Sequence, residues 1–193
     1  MLHLPLTLPT NHTKAMSIAD VPDATPRLSI HRCTVEDAPF FLELLNSPLW
    51  LQNIGDRGVY NLSDARRYIR TKILPAYKHP GLGNWLVRLK DGTPIGCVGV
   101  YDRPGLDLPD FGFAFLEAYH GRGYALEAAR TGIAHAIRSG FTELLAITLP
   151  SNEPSIRLLK KLGFAEEEII HIPKDPAPLL KLRWIISEDK TSG

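Results

Sequence analysis

Few cysteines, no excess of either charge and no long apolar run characterise this sequence, and each shortage excludes a class of protein. The 193 residues include only two cysteines, Cys33 and Cys97, and neither lies in a Cys-x-x-Cys or His/Cys cluster. A disulfide scaffold and a structural zinc site both need more ligands than this, so we expect no metal. Free cysteines are typical of a reducing compartment, and we expect a cytoplasmic protein.

Charge and hydropathy exclude two further classes of partner. Lys and Arg total 22 against 21 for Asp and Glu, a net charge of +1, which provides no basic surface for a phosphate backbone. No segment approaches the run of about 18 apolar residues that a membrane-spanning helix needs. We therefore expect a soluble protein that binds neither nucleic acid nor membrane.

Proline content separates the first part of the chain from the rest. Residues 1–26 contain four prolines and no apolar periodicity, which indicates a flexible N-terminal tail. Regular patterns occupy residues 27–187, a length sufficient for one domain with its own core, and residues 188–193 are expected to form a C-terminal tail.

Hydrophobic periodicity predicts the order of secondary structure along the domain. Apolar runs and alternation indicate strands at 28–32, 85–90, 95–101, 110–116, 144–149, 164–172 and 179–184. Apolar residues at helical spacing indicate helices at about 40–45, 65–73, 125–137 and 155–162, and the polar segment 53–58 is a predicted loop. This order predicts an α/β fold, with helices on both faces of a mixed, largely antiparallel twisted sheet of about seven strands.

A glycine-bearing turn between a predicted strand and a predicted helix is the first candidate site. It consists of His120, Gly121, Arg122, Gly123, Tyr124 and Ala125. Glycines allow a ligand to approach the backbone, and the first N–H groups of a helix are unpaired, so such a turn favours an anionic phosphate. Two other nucleotide motifs are absent, because Leu126 stands where the dinucleotide pattern needs a small residue and no Gly-x-x-x-x-Gly-Lys-Ser/Thr occurs.

A second motif follows the next predicted strand. Asn152 and Ser155 lie at the start of a short helix, and Gly163-Phe164 ends it. The order of glycine-rich turn, helix, strand and Asn-x-x-Ser helix resembles the GNAT N-acetyltransferase superfamily, in particular its branch of ribosomal-protein N-terminal acetyltransferases. The resemblance covers about residues 28–185.

The resemblance implies a GNAT-like fold and acetyl-CoA as co-substrate. In the family the turn wraps the pyrophosphate, which here assigns residues 120–125 to it, although His120 stands where the family has Arg or Gln. The pantetheine arm pairs with a sheet edge opened between the fourth and fifth strands, which implies backbone contacts at Phe115 and Leu116. Asn152 matches the residue that bonds this arm.

The resemblance also implies roles in catalysis by direct attack of an amine on the thioester. Ser155 matches the position whose hydroxyl faces the CoA sulfur, and a backbone N–H near Leu116 stabilises the oxyanion. Asp110 is the expected base, with Glu117 as second choice. A serine near a helix start also caps backbone N–H groups, and a carboxylate beside Pro109 also protects a strand end, so Ser155 and Asp110 retain structural interpretations.

The sequence does not identify the amine acceptor. Asn53, Asp56 and Arg57 belong to a segment that looks like a loop of bacterial relatives, which implies contact with the acceptor. A protein N-terminus, a polyamine, an antibiotic and a small metabolite amine are all compatible, as are a monomer and a homodimer. The alternatives are a catalytically silent acyl-CoA-binding sensor or partner module, and an acyltransferase that uses a longer acyl-CoA.

Overall fold

The computed structural model describes residues 21–173 and 177–186 and contains one seven-stranded sheet. Its strands are β1 Leu28–Arg32, β2 Gly83–Leu89, β3 Pro94–Tyr101, β4 Asp110–Phe115, β5 Glu143–Thr148, β6 Ala165–Ile170 and β7 Leu179–Ile185. The helices are α1 Ala38–Leu45, α2 Pro48–Asn53, α3 Leu62–Tyr68, α4 Tyr124–Arg138 and α5 Glu153–Lys161. The strand order β1-β2-β3-β4-β5-β7-β6 confirms the predicted mixed, largely antiparallel α/β fold.

One parallel pair interrupts an otherwise antiparallel sheet. β4 and β5 share a single bridge, between Asp110 and Leu145, and the two strands separate beyond it. The neighbouring pairs are long, since β3 pairs with β4 over six positions and β5 pairs with β7 over six. The sheet is therefore open in its middle, at the C-terminal ends of β4 and β5.

Successive side chains of the central strands point to opposite faces of the sheet, and each face has its own hydrophobic core. On β2, Trp85 and Val87 belong to the core that includes α4, whereas Leu86 belongs to the core that includes α1 and α3. Strands buried on both faces are apolar throughout, as in β3. On α4, Gly132 permits close approach to β4, because a Cβ there would lie 3.0 Å from the Phe111 ring.

The helical region before β2 differs from the prediction. No helix was predicted between residues 45 and 65, but α2 starts at Pro48, because proline fits the first helical turn and Ser47 before it is extended, as a residue preceding proline prefers. Asn53 is consequently the last residue of this helix.

The second predicted helix also has different bounds. α3 begins at Leu62, where the Asn61 side chain accepts a hydrogen bond from the Asp64 N–H at 3.0 Å. The chain continues as a wide helical turn, Ile69–Ile73, and a tighter one, Leu74–Lys78. The chain therefore stays helical beyond the predicted end at residue 73, because proline 75 is accepted in the first turn of the tighter segment.

The segment before β1 packs along α4. Val21 contacts the core, Asp23 pairs with Arg138 near the C-terminus of α4 at 2.9 Å, and Thr25 donates to Glu127 in its first turn. Ordered contacts therefore begin before the predicted domain boundary at residue 27. Of the two predicted tails, residues 1–20 and 188–193 lie outside the described residues.

Replacement of Leu144 tests the core on β5. This side chain is fully buried, so Leu144→Ala should lower the free energy of unfolding by about 3 kcal/mol through lost burial and a cavity. Ile169 on β6 is 49% exposed, and Ile169→Ala is the matched control, expected to cost less than about 1 kcal/mol. Urea unfolding measures both, and equal losses would contradict the assignment.

Candidate active site

A cavity of about 530 Å³ lies where the sheet opens. It is lined by α2 and the residues after it, by α3, by the ends of β3, β4 and β5, and by the start of α5. The structure thereby brings together five predicted site residues that are far apart in sequence: Asn53, Arg57, Asp110, Asn152 and Ser155. Asp56 does not line this cavity.

The side of β4 that faces β5 is open. The Leu116 N–H donates to the Ile95 carbonyl at 2.9 Å, and in an antiparallel ladder alternate residues bond to opposite neighbours. Phe113 and Phe115 therefore direct their backbone groups toward β5, which has separated from β4 at this point. A backbone N–H near Leu116 was expected to stabilise an oxyanion. The Leu116 N–H itself is occupied, and the N–H groups that face the opening are those of Phe113, which lines the cavity, and Phe115.

His120 connects the glycine turn to this strand. Its Nε2 lies 2.8 Å from the Phe115 carbonyl oxygen, and because a carbonyl only accepts, that ring nitrogen carries the proton. The side chain thus fixes the turn against the end of β4. This contact gives His120 a role in positioning the turn where the family has Arg or Gln.

The turn itself has the geometry that only glycine adopts readily. Gly121 has φ +70° and Gly123 has φ +79°, and Gly123 is the residue before the first turn of α4. The backbone N–H groups of Gly123, Tyr124 and Ala125 are among those at a helix start that have no partner within the helix. The turn can hold a phosphate group in the way that the sequence predicts.

Arg27 is a residue that the sequence analysis did not connect with this turn. Its guanidinium donates to the Arg122 carbonyl at 3.0 Å and to Glu127 Oε2 at 2.6 Å, and it lies 4.7 Å from the centre of the Tyr124 ring. One side chain thus contacts three residues of the turn and of the first helical turn. Because 95 residues separate Arg27 from Arg122, periodicity and spacing hold no signal for the contact.

Arg27 also offsets a negative charge beside the candidate phosphate site. Burial acts to raise the pKa of Glu127, but hydrogen bonds from Thr25 and Arg27 and the Arg27 charge outweigh it and lower that pKa. Glu127 is therefore ionised at neutral pH and close to the N-terminus of α4. Without the guanidinium, its charge would oppose an anion bound at the turn.

Asn152 and Ser155 form the start of α5. Asn152 is the N-cap, and its Oδ1 accepts from the Ser155 N–H at 3.4 Å. The cap is thus made by the asparagine, which weakens the interpretation of Ser155 as the residue that caps the helix. Both residues line the cavity, opposite the open edge of β4.

Asp110 is buried, with only 2% of the residue exposed. Both of its carboxylate oxygens accept from Arg103, from Nε and Nη2, each at 3.1 Å. Burial raises the pKa of Asp110, and the charge and hydrogen bonds of Arg103 oppose that shift. A carboxylate with a raised pKa in a cavity is a candidate for proton transfer, and Arg103 orients it.

The segment after α2 is shaped by local hydrogen bonds. The Trp50 indole N–H donates to the Gly55 carbonyl at 3.1 Å, and the Asp56 carboxylate accepts from the Tyr60 hydroxyl at 2.6 Å. Asp56 also accepts from the Gly58 N–H at 2.7 Å. Asp56 therefore organises the loop, and Arg57 beside it reaches the cavity lining.

Further polar residues line the cavity that the sequence analysis did not select: Tyr68, Lys72, Asn84, Tyr101 and Arg103. The Tyr101 hydroxyl donates to Asn84 Oδ1 at 3.2 Å, and its ring crosses Gly99, where a Cβ would lie only 2.4 Å from that hydroxyl. The contact between Tyr101 on β3 and Asn84 on β2 depends on the register of these two strands. The available signal in the sequence was a tyrosine two residues after a glycine on a buried strand.

Within residues 21–173 and 177–186, no helix has the length and apolar character needed to cross a membrane. Across the same ranges, no three His, Cys, Asp or Glu side chains cluster closely enough to hold a metal ion.

Comparison with known proteins gives one family. The model of the acetyltransferase (GNAT) domain matches residues 27–165, well over half of the chain. The curated protein YnaD of Bacillus subtilis (strain 168), described as an uncharacterised N-acetyltransferase, is 28% identical over 112 residues. These residues are 57% of this chain, and the match spans 63% of the length of that relative.

Solved structures are similar in fold. RimL, a ribosomal-protein α-N-acetyltransferase in complex with coenzyme A, has a TM-score of 0.73 and 15% identity, with 86% of this chain and 98% of that chain covered. The ribosomal-protein-S5-alanine acetyltransferase from Vibrio fischeri has a TM-score of 0.71 and 17% identity, covering 86% and 96%.

Replacement of Arg27 tests its contribution to the turn. Arg27→Met should raise the dissociation constant for coenzyme A about threefold to tenfold, because it frees the turn and leaves Glu127 unpaired. Adding Glu127→Gln should recover part of the loss. Calorimetric titration measures the constants.

Arg138→Met is the matched control for Arg27. It removes the ion pair between the same N-terminal segment and the other end of α4, so the affinity for coenzyme A should not change. Equal affinities for Arg27→Met and the parent protein would contradict the role of Arg27.

Proposed function

Because the chain belongs to the acetyltransferase (GNAT) domain family, we propose that it transfers the acetyl group of acetyl-CoA to a primary amine. The acceptor is a protein N-terminus or a small-molecule amine. The observation that carries this proposal is the open edge of β4, which leads directly into the cavity containing Ser155 and Asp110.

The residues present fit a CoA thioester. The glycine turn and the start of α4 would hold the pyrophosphate, with His120 fixing the turn to β4. The Phe115 N–H and the Phe113 carbonyl would pair with the amide groups of the pantetheine arm, and Asn152 lines the cavity at the start of α5. Acetyl-CoA supplies an activated acetyl group at this position.

Three groups of the chain would then act on the reaction. The N–H of Phe113, which lines the same cavity as Ser155 and Asp110, would donate to the acetyl oxygen as negative charge develops there, a contribution of about 3 kcal/mol in comparable sites. The Ser155 hydroxyl would donate to the departing sulfur, and Asp110, directly or through a water molecule, would accept the proton of the amine. Arg103 would keep the Asp110 carboxylate in place.

The type of amine determines how much the base must contribute. Deprotonating a lysine side chain at pH 7 costs about 4.6 kcal/mol, whereas an α-amine costs only about 1 kcal/mol. A single buried carboxylate whose two oxygens are already bonded to Arg103 is a modest base, which supports an α-amine as the nucleophile.

Ser155→Ala tests both the activity and the role of the hydroxyl. Release of free thiol from acetyl-CoA should fall about 10²-fold in kcat, because the departing sulfur loses its donor, while coenzyme A should bind as tightly as before. Ser151→Ala, an exposed serine just before the same helix, is the control and should retain activity. Thiol release that Ser155→Ala leaves unchanged would contradict the assigned role.

Asp110→Asn tests the base through the pH profile. A base must be ionised, so kcat/KM should fall as the pH decreases through the Asp110 pKa, which burial places above its ordinary value of about 3.9. The variant should lose this acidic limb and about 10²-fold in rate.

Asp107→Asn, exposed on the loop before β4, is the control for charge. Coenzyme A titration verifies that loss of the ion pair with Arg103 has not unfolded the Asp110→Asn variant. A folded Asp110→Asn protein with the parent's rate and acidic limb would exclude Asp110 as the base.

A further inference from the structure

Charge is distributed unevenly around the cavity. Its carboxylates, Asp102 and Asp110, come from the ends of β3 and β4, whereas Arg57 and Lys72 come from the helical region on the opposite side. The carboxylates therefore lie on the sheet side and these two cations on the helical side.

The charged groups of the cavity differ in whether they are paired. Asp110 and Arg103 satisfy one another through two hydrogen bonds, so this pair adds no net charge to the cavity. Neither Arg57 nor Lys72 forms an ion pair with any residue in the described part of the chain. Together they place two unpaired cations beside the cavity against one further carboxylate, Asp102, so the formal charge of the lining is positive.

From this arrangement we infer that the acceptor carries an anionic group, a carboxylate close to its amine, which binds between Arg57 and Lys72. The inference rests on the proposed function and narrows it. The amine would lie toward Asp110 and Ser155, and the carboxylate toward the helical cations. Free α-amino acids and peptides with an acidic residue next to the N-terminus share this chemistry.

The same charges disfavour other acceptors. Polyamines and polycationic antibiotics would bring further positive charge next to Arg57 and Lys72, and like charges in a cavity repel. Nearby cations also lower the pKa of the acceptor's ammonium, which increases the fraction of neutral amine that attacks. The Arg57 charge acts in this direction on Tyr68 within the protein: burial raises the pKa of this partly buried tyrosine, and Arg57 acts to lower it.

Matched acceptors test the inference through thiol release from acetyl-CoA. The first arm compares an amino acid with its α-amide. The second compares peptides of identical N-terminus whose second residue is Asp, Asn or Lys, and spermidine is the polycation. We expect kcat/KM to be about tenfold higher for the acidic member of each pair, and the preference should shrink at high salt. The arm with the larger preference identifies the source of the carboxylate.

Variants of Arg57 and Lys72 test whether these two residues cause the preference for acidic acceptors. Arg57→Gln combined with Lys72→Gln should abolish it, and Arg57→Glu should reverse it toward the Lys peptide. Arg70→Gln is the control, because Arg70 is exposed on the same helical segment as Lys72 and does not line the cavity. A preference that survives the double variant would overturn the inference.

A binding measurement separates this inference from the proposed function. Calorimetry of the protein saturated with coenzyme A, titrated with the same acceptors, reports selectivity without turnover. Turnover with no charge preference would refute the inference and leave the function intact. Selective binding of the acidic members without thiol release would support the inference and refute the function. Equal binding of all acceptors would refute the inference.

Discussion

The single bridge between Asp110 and Leu145 is the constraint on which the site depends. Strands that separate after one bridge leave backbone groups of β4 without a sheet partner, and such groups favour a ligand that supplies the missing hydrogen bonds. The flanking pairs, β3 with β4 and β5 with β7, hold the two halves of the sheet. The opening is therefore a fixed feature of the sheet.

Contacts distant in sequence position the groups around this opening. His120 attaches the glycine turn to β4, and Arg27 attaches it to the segment before β1. On the other side, Asn152 caps α5 and so directs Ser155 into the cavity. The groups proposed to react lie on helix starts and strand ends. Regular hydrogen bonds hold these backbones, which limits the movement of the groups relative to one another.

The sequence predicted what depends on local pattern. All seven strands were identified because alternation of apolar and polar residues is visible within a few positions, and the turn was identified from its glycines, which have positive φ in the structure. The predicted GNAT membership is confirmed by the family match over residues 27–165. The helix at Pro48 was missed because proline both ends and begins helices. The Arg27 contacts and the occupied Leu116 N–H arise from pairing between distant segments, which periodicity does not encode.

The account requires coenzyme A to complete the open edge of β4, and amide hydrogen exchange tests this most directly. Saturating coenzyme A should slow exchange of the Phe113 and Phe115 amides, which face the opening, while the Leu116 amide, already bonded to Ile95, should be protected in both states. Exchange at Phe113 and Phe115 that is unchanged by coenzyme A, in protein shown to be folded, would contradict it.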